Sequence, residues 1–385
     1  RAFSADDAAA PLRQFFLIRS CGVLCDLVFV TDDGGEYSRP VSRAVEDGLE
    51  RCGLEPLLGV YGGVHVLSPA ALEAVRSCAA VVIGPDSPPQ PLRRTGVKYM
   101  LPSDGGRGGV PPHEWSGEGF EFYVNQFLPS RCWSDILTNG QFGYIAADCG
   151  TGHMWYRNAR EMPVNRWLND PYAVVGGETL EIECGGERRS LFAAPDGVPC
   201  RVFFGFGAAR WRREFPGFDV TVTAFVPRAC DARVFIIETA GAAEGSVLWK
   251  TDLALSGDPE SAKAVSIDYV NYIFSVRSTR SYIDDAHFLA AASEAPEAYV
   301  CDGAKWLRGE LDNSTVYASQ PVIGARYPLT RCLILSCGCC GEDELSALCQ
   351  LEAVRSALDD TAGWWRALLG KFKMDGGGAL EHMMN

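Results

Sequence analysis

The sequence predicts a mostly β protein: a large sandwich of antiparallel sheets, preceded by a small α/β segment and followed by helices. Three observations carry this. Between Gly119 and about Cys337, short runs rich in β-branched and aromatic residues recur, split by Gly, Pro, Asp or Asn, with no helical stretch between them. Before them, residues 1–85 alternate apolar strand-like runs with helical spacing. After them, from Glu342, the apolar residues return at a helical period.

In the leading segment, residues 11–18 read as a helical or extended lead, and residues 27–30 as a fully apolar strand. Asp32-Asp33-Gly34-Gly35 is a turn. Residues 41–52 carry helical spacing, with Val45, Leu49 and Cys52 on one face. A second strand covers residues 64–67. Ser68 then serves as N-cap and Pro69 as first-turn residue of a helix running to about Cys78. Residues 80–83 read as a third strand, which predicts a small, mostly parallel sheet. The turn at Asp32 sits where a nucleotide loop would, but it lacks a Gly-x-Gly-x-x-Gly or Walker lysine, and its two acids repel phosphate.

Residues 84–112 hold many prolines and a Gly-Gly-Arg-Gly-Gly run, so they read as a linker. The expected organisation is residues 1–85 as the α/β domain, 86–118 as linker, 119–340 as the β sandwich and 341–385 as a helical linker. The expected strands include residues 120–124, 142–147, 179–182, 202–206, 220–226, 234–238, 247–251, 270–276, 298–301 and 332–336. More than ten such runs predict packed antiparallel sheets. Phe235, Ile236 and Ile237 are consecutive, which fits a strand buried on both faces. Beyond Glu342, Leu345, Leu348, Leu351, Val354 and Leu358 form one stripe, and Trp364, Trp365, Leu368, Leu369 and Phe372 a second. The Trp364-Trp365 pair is expected to serve helix packing. After Gly376-Gly377-Gly378, residues 379–385 read as the first turns of another helix, so the chain is expected to be cut from something longer.

The totals exclude several functions. The net charge of −14 argues against nucleic-acid or anionic-membrane surfaces, which want Lys/Arg patches. No apolar run approaches the ~20 residues of a membrane-spanning helix, and residues 1–10 do not read as a secretory signal. The 15 cysteines are odd in number and scattered within apolar runs, which suggests free thiols in a reducing, cytoplasmic setting. Cys337-Gly338-Cys339-Cys340 offers one Cys-x-x-Cys with no second pair, and no histidine lies between His287 and His382, so no metal site and no cofactor are expected.

The most informative stretch is residues 133–177. It contains Trp133, Trp155 and Trp167 beside Asn158, Arg160, Glu161 and Asp170. Aromatic faces with planar polar groups suit a sugar-handling surface. The alternative is a well-packed hairpin whose tryptophans are core. Asp135, Asp148, Glu161 and Asp170 could supply the carboxylate pair of a glycosidase, although Asn169-Asp170-Pro171 is first a turn signal. His153 and Glu161 could supply an acid/base pair.

The order of motifs in this stretch resembles glycoside hydrolase family 94, which includes cellobiose, chitobiose and oligoglucan phosphorylases and the C-terminal part of cyclic β-1,2-glucan synthases. The matching features are Tyr123-Val124, Trp133-Ser134-Asp135-Ile136-Leu137-Thr138-Asn139, Phe142-Gly143 and the run from Gly152 to Trp155. They continue with Asn158-Ala159-Arg160-Glu161, Trp167-Leu168-Asn169-Asp170-Pro171, Phe204-Gly205-Phe206-Gly207 and residues 220–227. Residues 25–30 and 62–83 resemble the segment preceding this region in cyclic glucan synthases. Two residues depart from the pattern: Cys132 replaces a residue usually Pro, and Leu168 a small polar one.

The resemblance implies a galactose-mutarotase-like super-sandwich and a helical linker leading to an (α/α)6 barrel that carries the catalytic residues. No catalytic residue therefore carries over to this chain, and the fragment alone is expected not to turn over substrate. It also implies that Trp155, Asn158, Arg160, Glu161, Trp167 and Asp170 face sugar, the barrel or a dimer contact. The expected partners are a β-glucan or oligosaccharide, the chain's own barrel and a second copy. The alternative for Arg160 is a salt bridge inside the hairpin. The alternatives for the whole are a free-standing carbohydrate-binding module or a mutarotase-like enzyme.

Overall fold

The computed structural model describes residues 5–20, 25–34, 39–52, 54–60, 62–79, 98–99, 107–108, 110–150, 152–167, 177–241, 244–257, 265–278, 287–315 and 320–371. The chain divides into two compact units, Arg1–Arg94 and Thr95–Asn385.

In the first unit, the strands Leu27–Val30 and Val64–Leu67 pair in parallel, as expected for a β-α-β unit. The helices Ala5–Ser20 and Pro40–Cys52 bury Leu12, Phe15, Val45 and Leu49 together with Val64. The lead is thus a helix, with Pro11 inside it. Beside the Asp32 turn, Asp33 takes the place at the helix start where an anion would sit. Its carboxylate accepts from Val41 N at 2.8 Å and Ser42 N at 3.1 Å, so the helix N-terminus is already capped by an anion. Ser68 makes no side-chain cap; Pro69–Ala71 is a 3-10 turn that leads into the helix Leu72–Cys78. The expected strand at residues 80–83 lies outside the described residues.

The second unit is the sandwich, and the antiparallel super-sandwich expected from the sequence is what forms. One sheet runs, in spatial order, Val265–Val270, Ile273–Ser278, His287–Ala292, Cys332–Gly338, Ala232–Gly241, Phe218–Phe225, Ala208–Phe215, Cys200–Gly205, Gly119–Val124 and His113–Ser116, antiparallel throughout. A second runs Ala298–Asp302, Pro321–Pro328, Ser246–Asp252, Glu178–Cys184, Glu187–Ser190 and Lys98–Tyr99. Trp211, Val222, Phe235 and Leu335 of the first meet Leu180, Trp249, Ile323 and Tyr327 of the second in one core. Across this core, Arg233 pairs with Glu178, both side chains fully buried.

Two local readings change. Residues 270–276 are not one strand: Asn271 and Tyr272 take φ of 52° and 67° and form a tight hairpin turn there. Two consecutive left-handed residues suit a type I′ connection, and an asparagine without the usual glycine partner hides it in the sequence. A short helix, Gly303–Leu307, also interrupts the strands, capped by Asp302, which accepts from Ala304 N.

On the outer face of the larger sheet, Val234, Ile236 and Ile334 are covered by Leu345 and Val354 of the helices Glu342–Ala347 and Leu351–Leu369, and by Leu348 between them. Trp365 of the longer helix rests on Gly207, where a Cβ would come within 2.5 Å of its ring. Arg228 lies 4.8 Å from the Trp364 ring centroid.

Candidate functional site

A third, smaller sheet carries the candidate site. Ser134–Thr138, Phe142–Ala147 and His153–Tyr156 pair as consecutive antiparallel strands. The period of two sends Leu137, Phe142, Tyr144, Ala146 and Met154 into the core. It sends Ile136, Gly143, Ile145, His153 and Trp155 to the opposite face. Ile136 is 60% exposed there.

Gly143 and Trp155 face each other across the register, and a Cβ at Gly143 would lie 2.1 Å from the indole. The glycine thus lets Trp155 lie close to the sheet. Trp167 returns from the following loop and stacks on His153, with ring centroids 4.9 Å apart and planes inclined by 14°. His153 stacks on Trp155 at 5.8 Å and 26°. The result is a three-ring stack with the imidazole in the middle. Its outer member, Trp167, is 49% exposed, whereas His153 is 1% exposed.

Burial holds the His153 imidazole down to about 4, so it is neutral at physiological pH. Neither ring nitrogen makes a hydrogen bond of normal geometry. Asn165 fixes the strand beneath: its side chain accepts from Met154 N at 2.7 Å and donates to Gly152 O at 3.0 Å. Asn165 was not singled out in the sequence, and only its place two residues before Trp167 hints at the role.

At the end of the strand the chain turns through Arg157, whose φ is 60° and whose guanidinium sits 4.9 Å from the Tyr156 ring centroid. Asn158 Oδ1 accepts from Arg160 N at 2.9 Å and Glu161 N at 3.1 Å, so this side chain shapes the turn. Arg160, 93% exposed, approaches the neighbouring Glu161 at 3.9 Å. The salt bridge considered as holding the hairpin is therefore an outer contact that contributes little. Asp170 lies outside the described residues.

Among the described residues, the carboxylates do not assemble into a hydrolytic pair. Asp148 is fully buried, gripped by Arg107 through two 3.0 Å bonds and by Trp133 N at 3.1 Å. Asp135 points to the core side of the sheet, where burial pushes its carboxyl up to about 6. Trp133 packs 4.8 Å from Phe122 and 5.3 Å from Phe120. Of the three tryptophans in the stretch, Trp133 is packing while Trp155 and Trp167 form the stack. The alternation of Ile136, Gly143, Ile145 and Trp155 was visible in the sequence and could have identified this face.

Residues 122–238 match the family model of the glycosyl hydrolase 94 supersandwich domain. The match takes in the aromatic stretch and the strands up to Glu238, and it bears out the family resemblance over this segment. No curated protein sequence matches the chain. Among solved structures, a bacterial glucoamylase complexed with acarbose is 10% identical, with a TM-score of 0.42, over 68% of this chain and 39% of that one. A human-microbiome protein assigned as a kojibiose phosphorylase is 8% identical, with a TM-score of 0.36, over 67% of this chain and 39% of that one. A protein from Escherichia coli K12 assigned as an aldose 1-epimerase is 9% identical, with a TM-score of 0.34, over 54% of this chain and 98% of that one. The chain thus spans about two-fifths of the length of the first two. Among the described residues, no helix is long and apolar enough to cross a membrane.

Proposed function

We propose that this chain is the supersandwich portion of a β-glucan phosphorylase or a cyclic β-1,2-glucan synthase-like enzyme acting in the cytoplasm. It supports an (α/α)6 catalytic barrel and contributes a sugar-facing surface. The observation that carries this reading is the Trp155–His153–Trp167 stack. Flat rings give a pyranose an apolar platform, and Trp167, half exposed at the end of the stack, offers one such face to solvent. Chemistry belongs to the barrel, because Asp135 and Asp148 are buried and Glu161 lies out on the turn beside Arg160.

Calorimetric titration with β-1,2- and β-1,4-gluco-oligosaccharides tests the surface. Binding that is lost in Trp167→Ala supports it, and no heat with any β-glucan defeats it. Incubation with phosphate and the same oligomers should yield no sugar phosphate; turnover by this chain alone would refute the division of labour.

A further inference from the structure

We propose that Cys230, Cys340 and Glu344 form a binding site for a thiophilic divalent cation such as zinc. The site lies at the end of the central strand pair, on the helix-covered side of the larger sheet. Ala232–Gly241 and Cys332–Gly338 are antiparallel, with Ala232 opposite Gly338. Cys339 N donates to Asp231 O at 2.8 Å and extends the ladder by one residue. Cys230 and Cys340 follow at facing positions, and Glu344 comes from the first turn of the next helix. The two sulfurs and a carboxylate oxygen all lie within 4.8 Å of one another. In a tetrahedral zinc site with Zn–S of about 2.3 Å, donors stand roughly 3.5–3.8 Å apart, so only small rotamer changes are needed.

The Cys-x-x-Cys visible in the sequence is not the chelating pair. Residues three apart on a strand face opposite sides. Cys337 accordingly points into the core, its sulfur 3.6 Å from that of Met154. The second thiol is instead Cys230, far away in sequence.

A comparison inside the molecule sharpens the assignment. Cys132, Asp148 and Cys149 form an equally compact triad. There a protein cation already fills the seat: Arg107 donates to both Asp148 oxygens and, at 3.2 Å, to the Cys149 sulfur. Binding of a divalent cation by Cys230, Cys340 and Glu344 would displace the two thiol protons to solvent. The surroundings are already oriented. Gly341 N donates to Glu344 Oε2 at 3.1 Å, Asn139 Nδ2 to Asp231 Oδ1 at 2.9 Å, and the Cys340 carbonyl lies 3.1 Å from His287 Nε2.

The test is zinc binding to the reduced chain, followed by competition with a chromogenic chelator and by cobalt substitution. One zinc per chain is expected, with a sulfur-to-cobalt charge-transfer band. Cys230→Ser and Cys340→Ser should abolish both. Glu344→Gln, on an exposed helix turn, should fold normally and weaken binding at least about tenfold. Cys132→Ser should change nothing. Zinc should also raise the melting temperature of the parent chain and leave that of Cys230→Ser unmoved. The proposal is overturned by absence of stoichiometric zinc, by zinc retained in both thiol variants, by full affinity in Glu344→Gln, or by loss in Cys132→Ser.

Discussion

Glu178 and Arg233 meet in the middle of the sandwich, one from each of its two large sheets, with both side chains fully buried. Trp249 Nε1 adds a 2.8 Å bond to the same carboxylate oxygen, and the guanidinium sits 3.5 Å from the Phe235 ring centroid. Burial pushes the Glu178 carboxyl up, and the Arg233 charge opposes it. Removing one partner strands the other in a dry core. Glu178→Ala should therefore cost about 3–5 kcal/mol in urea unfolding. A loss below about 1 kcal/mol would mean that the pair is not desolvated as described.

Gly143 sets how closely Trp155 approaches its sheet. Gly143→Ala should lift the indole and break the stack, at an overpacking cost of about 1–3 kcal/mol. Near-ultraviolet circular dichroism should register the change, and any sugar affinity should fall with it. An unaltered aromatic signal would show that the contact is not limiting.

The two displaced pKa values act in opposite directions. His153 sits at about 4 against an ordinary 6.5, so the unfolded chain takes up a proton that the folded chain refuses. Stability therefore falls as pH drops from about 6.5 to about 4, by on the order of 3 kcal/mol in all. Asp135, at about 6 against 3.8, binds its proton more readily when folded, so its contribution rises as pH falls through 6. His153→Phe should remove the acid-side loss. Asp135→Asn should raise the melting temperature at pH 7 and steepen the decline below it. Identical pH profiles for the parent and both variants would contradict these environments.

Trp167 and Trp133 should separate function from packing. Trp167→Ala removes a half-exposed ring, so the melting temperature should move little. The His153 imidazole, measured by NMR titration, should rise toward its ordinary value once uncovered. Trp133→Ala hollows out the contact with Phe120 and Phe122 and should cost about 3 kcal/mol. It should leave the His153 titration unchanged.

Periodicity made most of the fold legible. Residues 142–147 read as a strand and form one, because Phe142, Tyr144 and Ala146 alternate toward the core. The Asn271-Tyr272 turn was hidden because it breaks an apolar run without glycine or proline. The aromatic stretch was legible as a candidate surface, yet its order was not. Which tryptophan packs and which stacks depends on strand parity and on the return of Trp167 to His153. The Cys230–Cys340 meeting could not be read at all, since it comes from pairing between distant strands.

That distant pairing also has a consequence in time. Val234, Phe235, Ile236 and Ile237 form the centre of the larger sheet, and one edge of their strand is satisfied only by residues 332–338. On the ribosome, about ninety residues must follow before that partner exists, a wait on the order of 5–20 s at ordinary synthesis rates. Throughout it, a strand apolar on both faces stands with an open edge. The nascent chain is therefore most exposed to misassembly just before the strand Cys332–Gly338 emerges, and holdase binding should concentrate on intermediates ending between residues 241 and 332.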